Sequence, residues 1–292
     1  MFRSSPSAVT IIMIMISSLW IAAAMAAPPD ARNGEWLELF NGANLDGWTT
    51  KVRGYEVGED PYDTFRVSDG LLTVSYADYP RDGFGGRFAH LFYDTPYSHY
   101  VLHLEYRFVG AQADGGPGWA ERNSGAMLHA QAPDTMHRDQ DFPVSIEAQL
   151  LGGLGTGKAR PTANVCTPGT DITVNDAIYP HHCLASGALT YDGNQWVNVT
   201  VVVLGGGSVT HYVEREEVLS YHYPRLDSAG AHQRSGSPAA LQSGHIALQS
   251  ESAPIQFRRV RLLNLTGCRN PQAQNYKPYL VNTDNTLCRF SD

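Results

Sequence analysis

The run HYVLHLEYRF, residues 99–108, sets Tyr100, Leu102, Leu104, Tyr106 and Phe108 on one side of a period-two pleat. His99, His103, Glu105 and Arg107 fall on the other side. That period belongs to a β-strand half buried against a core. It returns along the chain in WLELF (36–40), TFRV (64–67), LLTVSY (71–76), AHLFY (89–93), QWVNVTVVVL (195–204), SVTHYVE (208–214), EVLSYHY (217–223), GHIALQS (244–250) and QFRRVRLLNL (256–265). Gly, Asp and Asn punctuate these runs, and SDG (68–70), YDGN (191–194) and LGGGS (204–208) are hairpin signals. About a dozen short strands with almost no helix between them predict an all-β sandwich of two antiparallel sheets. The polar stretches 109–122 and 152–188 resist this reading, and the Ser/Gly/Ala-rich segment 227–244 reads as a surface loop.

With 292 residues, 42% of them apolar, the chain can bury a core unaided. A formal charge of −8 and no basic run argue against a nucleic-acid partner. The N-terminus has one cation, Arg3, then an apolar stretch and small residues at Ala24 and Ala26, the pattern of a signal peptide over residues 1–26. Secretion or export to a periplasm is expected, with no stable membrane insertion once the signal is cleaved. An uncleaved N-terminal membrane anchor is the alternative.

Four cysteines fall as two close pairs, Cys166 with Cys183 and Cys268 with Cys288, without C-x-x-C spacing. Pairing of neighbours is the simplest of the three connectivities, and each bridge would stabilise its segment by about 3 kcal/mol.

DFPVSIEAQLLGG (141–153) is a strand with a polar stripe, because Val144, Ile146, Ala148 and Leu150 share one side while Ser145, Glu147 and Gln149 share the other. If 123–131 is also a strand, Asn123, Gly125, Met127, His129 and Gln131 share a face. Such a stripe is either the wet outside of a sheet or the floor of a sugar site.

ELFNGANLDGW (38–48), NSGAML (123–128) with SIEAQLLGG (145–153), and GHIALQSESAPIQFRRVRLLNL (244–265) occur in this order. Together they resemble the 3-keto-disaccharide hydrolase domain family. The resemblance implies a concanavalin A-like jelly roll over residues 27–266, in agreement with the alternation above. It also implies a secreted or periplasmic enzyme whose substrate is a sugar or glycoside oxidised to a ketone at sugar carbon three. The tail GCRNPQAQNYKPYLVNTDNTLC (267–288) resembles a short disulfide module of secreted bacterial proteins, usually written GC-x-D-P-x-A-x-NY-x-P…DDG-x-C. Asn270 and Asp284-Asn285-Thr286 replace acidic positions of that pattern, so residues 267–292 are read as a disulfide-closed cap rather than a calcium site.

A ketone at carbon three acidifies the proton on carbon two. A base can then remove it, the aglycone leaves the anomeric carbon, and water adds back. This route needs one base, one electrophile for the enolate oxygen and one proton source, not the spaced carboxylate pair of ordinary glycosidases. One divalent cation is a possible electrophile, its ligands unassigned, and no nucleotide or organic cofactor is called for. Glu147 is the first candidate for base or metal ligand and His129 the second. Asn123 and Gln149 are candidate partners of sugar hydroxyls, Trp119 a stacking platform, and Arg122 and Arg160 candidates to polarise the ketone or contact the aglycone. His181 and His182 offer only weak metal spacing. No G-x-S-x-G elbow, H-E-x-x-H helix or phosphate loop occurs. A non-catalytic, lectin-like sugar-binding module on the same sandwich is the alternative function, and a glucanase would require a run of acids where I-E-A-Q-L-L has one.

Overall fold

A computed structural model of the protein describes residues 34–234 and 239–291. The signal peptide and the anchor alternative lie outside the described residues. In chain order the elements are β1 (Trp36–Glu38), β2 (Trp48–Val52), β3 (Phe65–Ser68), β4 (Leu71–Val74), β5 (Ala89–Tyr93), β6 (His99–Phe108), β7 (Asn123–Ala130), β8 (Ile146–Leu151), β9 (Asn164–Cys166) and β10 (Thr170–Val174). They continue as β11 (Ala177–Ile178), β12 (Cys183–Leu184), β13 (Val197–Leu204), β14 (Ser208–Val213), β15 (Glu216–Leu226), α1 (Ser228–Gln233), β16 (His245–Ser250), β17 (Ile255–Asn264), β18 (Thr266–Gly267) and β19 (Asn282–Thr283).

These strands form the expected jelly-roll sandwich. One sheet runs β11-β10-β15-β14-β13-β6-β17-β4-β3, with β1 on the side of β17, and the other runs β12-β9-β8-β7-β16-β5-β2. Between them lies the core. β6 contributes Tyr100, Leu102, Leu104, Tyr106 and Phe108, and the facing sheet contributes Leu91, Ala126, Leu128, Ile146, Ala148, Leu150, Ile246 and Leu248. Each set obeys the period of two, which is why the alternating sequence folds with these faces inward.

The outer face of the larger sheet is closed by its own side chains. Glu105, nearly buried, pairs with Arg258 and with Arg259 at 2.8 Å. The guanidinium groups of Arg107 and Arg258 lie 4.6 and 4.1 Å from the Trp196 ring centre. The C-terminal segment docks on this same outer face. Its β18 and β19 pair in parallel, Cys268 is bonded to Cys288, and Tyr279 packs against Val101, Val202, Leu263 and Leu265.

Two stretches differ from the reading by alternation. Residues 152–188 hold four short strands, β9 to β12, with Cys166 bonded to Cys183 across the β9–β12 pair. Strands of two to five residues are too short for a period to declare itself. Segment 227–244 is not all loop: it begins with α1, whose N-cap Asp227 accepts from the Gly230 amide at 2.6 Å.

Among the described residues, no helix is long and apolar enough to cross a membrane. The two disulfides are those of a protein matured in an oxidising compartment, extracellular or periplasmic.

One buried cation braces the smaller sheet. Lys51 on β2 is 2% exposed, and its ammonium donates to the carbonyls of Val52, Tyr55 and Arg138 at 3.0, 2.9 and 3.0 Å. Burial lowers its pKa, against the raising influence of Glu56 and Asp139. Lys51→Met would take the ammonium from all three carbonyls, of which Val52 and Arg138 keep the amides of Tyr55 and Gly54 while Tyr55 loses its donor. Urea denaturation is expected to show a loss of about 3 kcal/mol.

Candidate active site

The face of the smaller sheet turned away from the core ought to be wet, yet most of it is buried. Register carries one row of residues across it. Lys51 on β2 stands opposite His90 on β5, and His90 opposite Gln249 on β16. Gly125 on β7 stands opposite Gln149 on β8, and Gln149 opposite Asn164 on β9. The pair Leu248–Ala126 sets Gln249 beside Gly125 and joins the two halves. In the next row along the pleat are Phe92, Ala247, Met127, Glu147 and Cys166.

Loops roof this surface. Met136 of the 131–143 loop clusters with Phe92, Met127, Ala130 and Ala247, and Phe142 meets His90 edge-on at 6.0 Å. Trp119, 55% exposed, stacks at 14° on Phe88, which in turn touches Phe142. Beneath the roof is a group of polar atoms with no hydrogen-bond partner in the protein: Glu147 Oε1, Glu251 Oε2, Asn123 Oδ1, His90 Nε2, and both amide atoms of Gln249. Each such atom costs on the order of 1–3 kcal/mol, so a cluster of them is better explained by a ligand than by the fold.

Glu147, on β8, stands at one end of this group and leans into it. Gly125, opposite Gln149 on the neighbouring strand, has no side chain, and the Glu147 side chain leans over the space that leaves. A Cβ on residue 125 would lie 2.6 Å from Glu147 Oε1. Glu147 is 6% exposed, and burial pushes its pKa up to about 8. Glu251, the residue after β16, shares the Gln249 face and is also buried. Burial first, and then the charge of Glu147, raise its pKa well above the carboxylate range, with Arg160 opposing. His90 is held neutral, its pKa brought down to about 3 by burial and by the neighbouring charge of Lys51.

The other residues singled out by sequence divide. Asn123 and Gln149 are on this surface: the Asn123 amide donates to the Trp119 carbonyl at 3.5 Å, and Gln149 Oε1 accepts from Asn164 at 3.0 Å. Ser145 lies outside β8, and its hydroxyl donates to the Pro143 carbonyl at 2.9 Å.

His129 does not share the face of Asn123. Its φ of 50° and a register shift between β7 and β16 mark a bulge. The ring sits 5.9 Å from Tyr100, a core residue, with Nδ1 3.1 Å from the Leu241 carbonyl and Nε2 3.2 Å from that of Ser98. Burial brings its pKa down to about 4, so it is a neutral structural histidine.

Arg122 and Arg160 tie loops together instead of reaching for a ketone. Arg160 donates to the carbonyls of Glu121, Arg122 and Gly152, at 2.6 and 3.0 Å for the first two. Arg122 donates to the Gly193 carbonyl and lies over the Phe108 ring at 5.3 Å. His181 and His182 are exposed.

Sequence reasoning missed His90, Gln249 and Glu251. Part of the signal was present in AHLFY and GHIALQSE, where His90 alternates with Ala89 and Leu91, and Gln249 and Glu251 fall on the side opposite Ile246 and Leu248.

The divalent cation does not find a ready-made cage here. Among the described residues, the one group of three His, Cys, Asp or Glu donors within reach of a common ion is Cys166, His182 and Cys183, and its two sulfurs are bonded to each other. Neither Glu147 nor Glu251 belongs to such a group.

No curated protein matches the sequence. Among solved structures, the chain is similar to a candidate glycosyl hydrolase of Parabacteroides distasonis, at 19% identity over 79% of this chain and 94% of that one, TM-score 0.45. It is also similar to carbohydrate binding module CBM66 from Bacillus subtilis, at 12% identity over 74% and 94%, TM-score 0.42. A third similar structure is LamAcat from Zobellia galactanivorans, at 10% identity over 81% and 100%, TM-score 0.44. The family model of the 3-keto-alpha-glucoside-1,2-lyase-like domain matches residues 35–263. That match takes in both sheets and the roofed surface around Glu147, and the chain belongs to this family.

Proposed function

We propose that this protein cleaves 3-keto-glucosides, including 3-keto-disaccharides, by proton abstraction next to the ketone, elimination of the aglycone and hydration. One observation carries the reading: the Glu147 carboxyl is buried, has an oxygen with no partner in the protein, and leans over Gly125 on the face that also carries the unpaired amide of Gln249 and the unpaired Oδ1 of Asn123. A base for a carbon acid needs this setting, removed from water and with its proton affinity raised toward neutrality. Glu147 takes the proton from carbon two. Gln249 Nε2, a buried donor without an acceptor, is the group that holds the enolate oxygen, and Asn123 and Gln149 orient the sugar hydroxyls. Trp119 offers its open face to a sugar or aromatic ring at the rim.

The donor set does not suit a cation held by three acidic, histidine or cysteine side chains, and no step is routed through one. The test mixes purified protein, with and without chelator, with a 3-keto-glucoside and with its unoxidised parent. Aglycone release from the keto form alone, unaffected by chelator, is expected. Equal release from both would end the reading in favour of an ordinary glycosidase built on Glu147 and Glu251. Binding of sugar without release from either would mark a lectin-like module. A rate lost on chelation and restored by a divalent metal would return a cation to the mechanism.

A further inference from the structure

Glu251 was absent from the expectations drawn from sequence, and the abstraction step makes no use of it. It nevertheless has the attributes of a working group. It is 3% exposed, and its Oε2 has no partner in the protein. The alternation of β16 places it on the side of Gln249, one pleat further on.

Its backbone is held from both sides. Ser252, the next residue, has φ 88°, a left-handed conformation costly for a residue with a side chain. Its amide donates to the Tyr76 hydroxyl at 2.7 Å, and Gln112 of the 109–118 loop donates to its Oγ at 2.9 Å. These two bonds fix the backbone just after Glu251, beyond the end of β16. The positive charge that acts on it is Arg160, whose guanidinium is engaged by three main-chain carbonyls.

We infer that Glu251 is the second proton-transfer group of this site, donating to the departing aglycone oxygen and afterwards accepting a proton from the incoming water. The inference rests on the keto-glucoside reading above. In the elimination, Glu147 carboxylate takes the proton from carbon two, the C–H electron pair becomes the bond between carbons one and two, the bond from carbon one to the aglycone oxygen breaks, and the Glu251 O–H proton goes to that oxygen. The pair now has its single proton on Glu147. In the hydration, a water oxygen bonds to carbon one as its proton passes to Glu251, and Glu147 returns its proton to carbon two. The site ends as it began, and the sum is hydrolysis without an oxidant or other co-reactant. Mutual repulsion works against ionising both carboxyls, so once Glu147 has lost its proton Glu251 keeps its own.

The leaving group supplies the test. Two 3-keto-glucosides are compared, one with a 4-nitrophenol aglycone that departs without protonation and one with a methanol aglycone that does not. Glu251→Gln is expected to lower release of methanol by about 10²-fold. Release of nitrophenol should stay close to wild type, the unsaturated keto-sugar should accumulate, and exchange of the carbon-two proton with D₂O should persist. Equal losses on both aglycones, or no loss on either, would overturn the role of Glu251 while leaving the keto-sugar reading intact. Failure of the wild type on both substrates would overturn the reading itself. If Glu251→Gln does not fold, Glu251→Asp carries the same comparison, with a larger loss on methanol than on nitrophenol expected and equal losses overturning the role.

Discussion

Glu147→Gln is expected to lower aglycone release by about 10³-fold and, in the same molecule, to raise the stability of the fold at pH 7. The first effect follows from removing the base. The second follows from linkage. In the unfolded chain Glu147 ionises at the ordinary carboxylate pKa near 4.5, whereas burial in the fold raises that value to about 8. Between those two values the folded state binds a proton that the unfolded state has released, so stability falls as pH rises through the window. The loss is complete above about pH 8 and absent below the unfolded pKa.

At pH 7 the penalty is on the order of 3 kcal/mol, which glutamine does not incur because it has no charge to bury. A rise in Tm of about 5–10 °C is expected for the variant at pH 7 to 8. Little difference is expected at pH 4. Thermal melts at those pH values check the effect, and identical melts throughout would mean that the carboxyl is not held in its protonated form. The same raised pKa makes wild-type activity climb toward pH 8. A variant that gains stability as it loses activity is the usual sign of a site kept for function.

Gly125→Ala is the second large expectation. Its methyl group would come within 2.6 Å of Glu147 Oε1 and 2.7 Å of Glu147 Cγ, distances that force the acid to move. Displacement of a catalytic group by an ångström costs about 10²-fold in rate. The strand itself should tolerate alanine, so circular dichroism and Tm are expected to change little while kcat falls. A full-rate alanine variant would show that Glu147 need not occupy the place over residue 125. The two variants separate the chemical nature of the base from its position.

Much of the sandwich was legible because its signal is local. β5 and β6 occupy the same residues as the alternating runs AHLFY and HYVLHLEYRF, and the polar stripe of β8 was visible in I-E-A-Q. Legibility ended where a fact depended on a partner distant in sequence. His129 belongs to the polar face of β7 by counting, but a bulge at that residue turns it to Tyr100. Arg122 and Arg160 carry the right charge for a keto-sugar, yet carbonyls of neighbouring loops engage both. Glu251 has an unremarkable place in S-E-S-A until β16 is laid between β5 and β7.

Sequence alone therefore determined the two antiparallel layers, the side of the long alternating strands that enters the core, and an acid on the outer side of β8. The period of two is a property of the extended backbone and needs no partner to be read. Tertiary structure decided that this outer side is roofed by Phe142, Met136 and the 109–122 loop, and that Glu147 fills the gap over Gly125. It also decided that a second carboxyl stands near enough to feel the charge of the first. Exclusion of water and the interaction of charges depend on distance in space, and only the folded chain sets that distance.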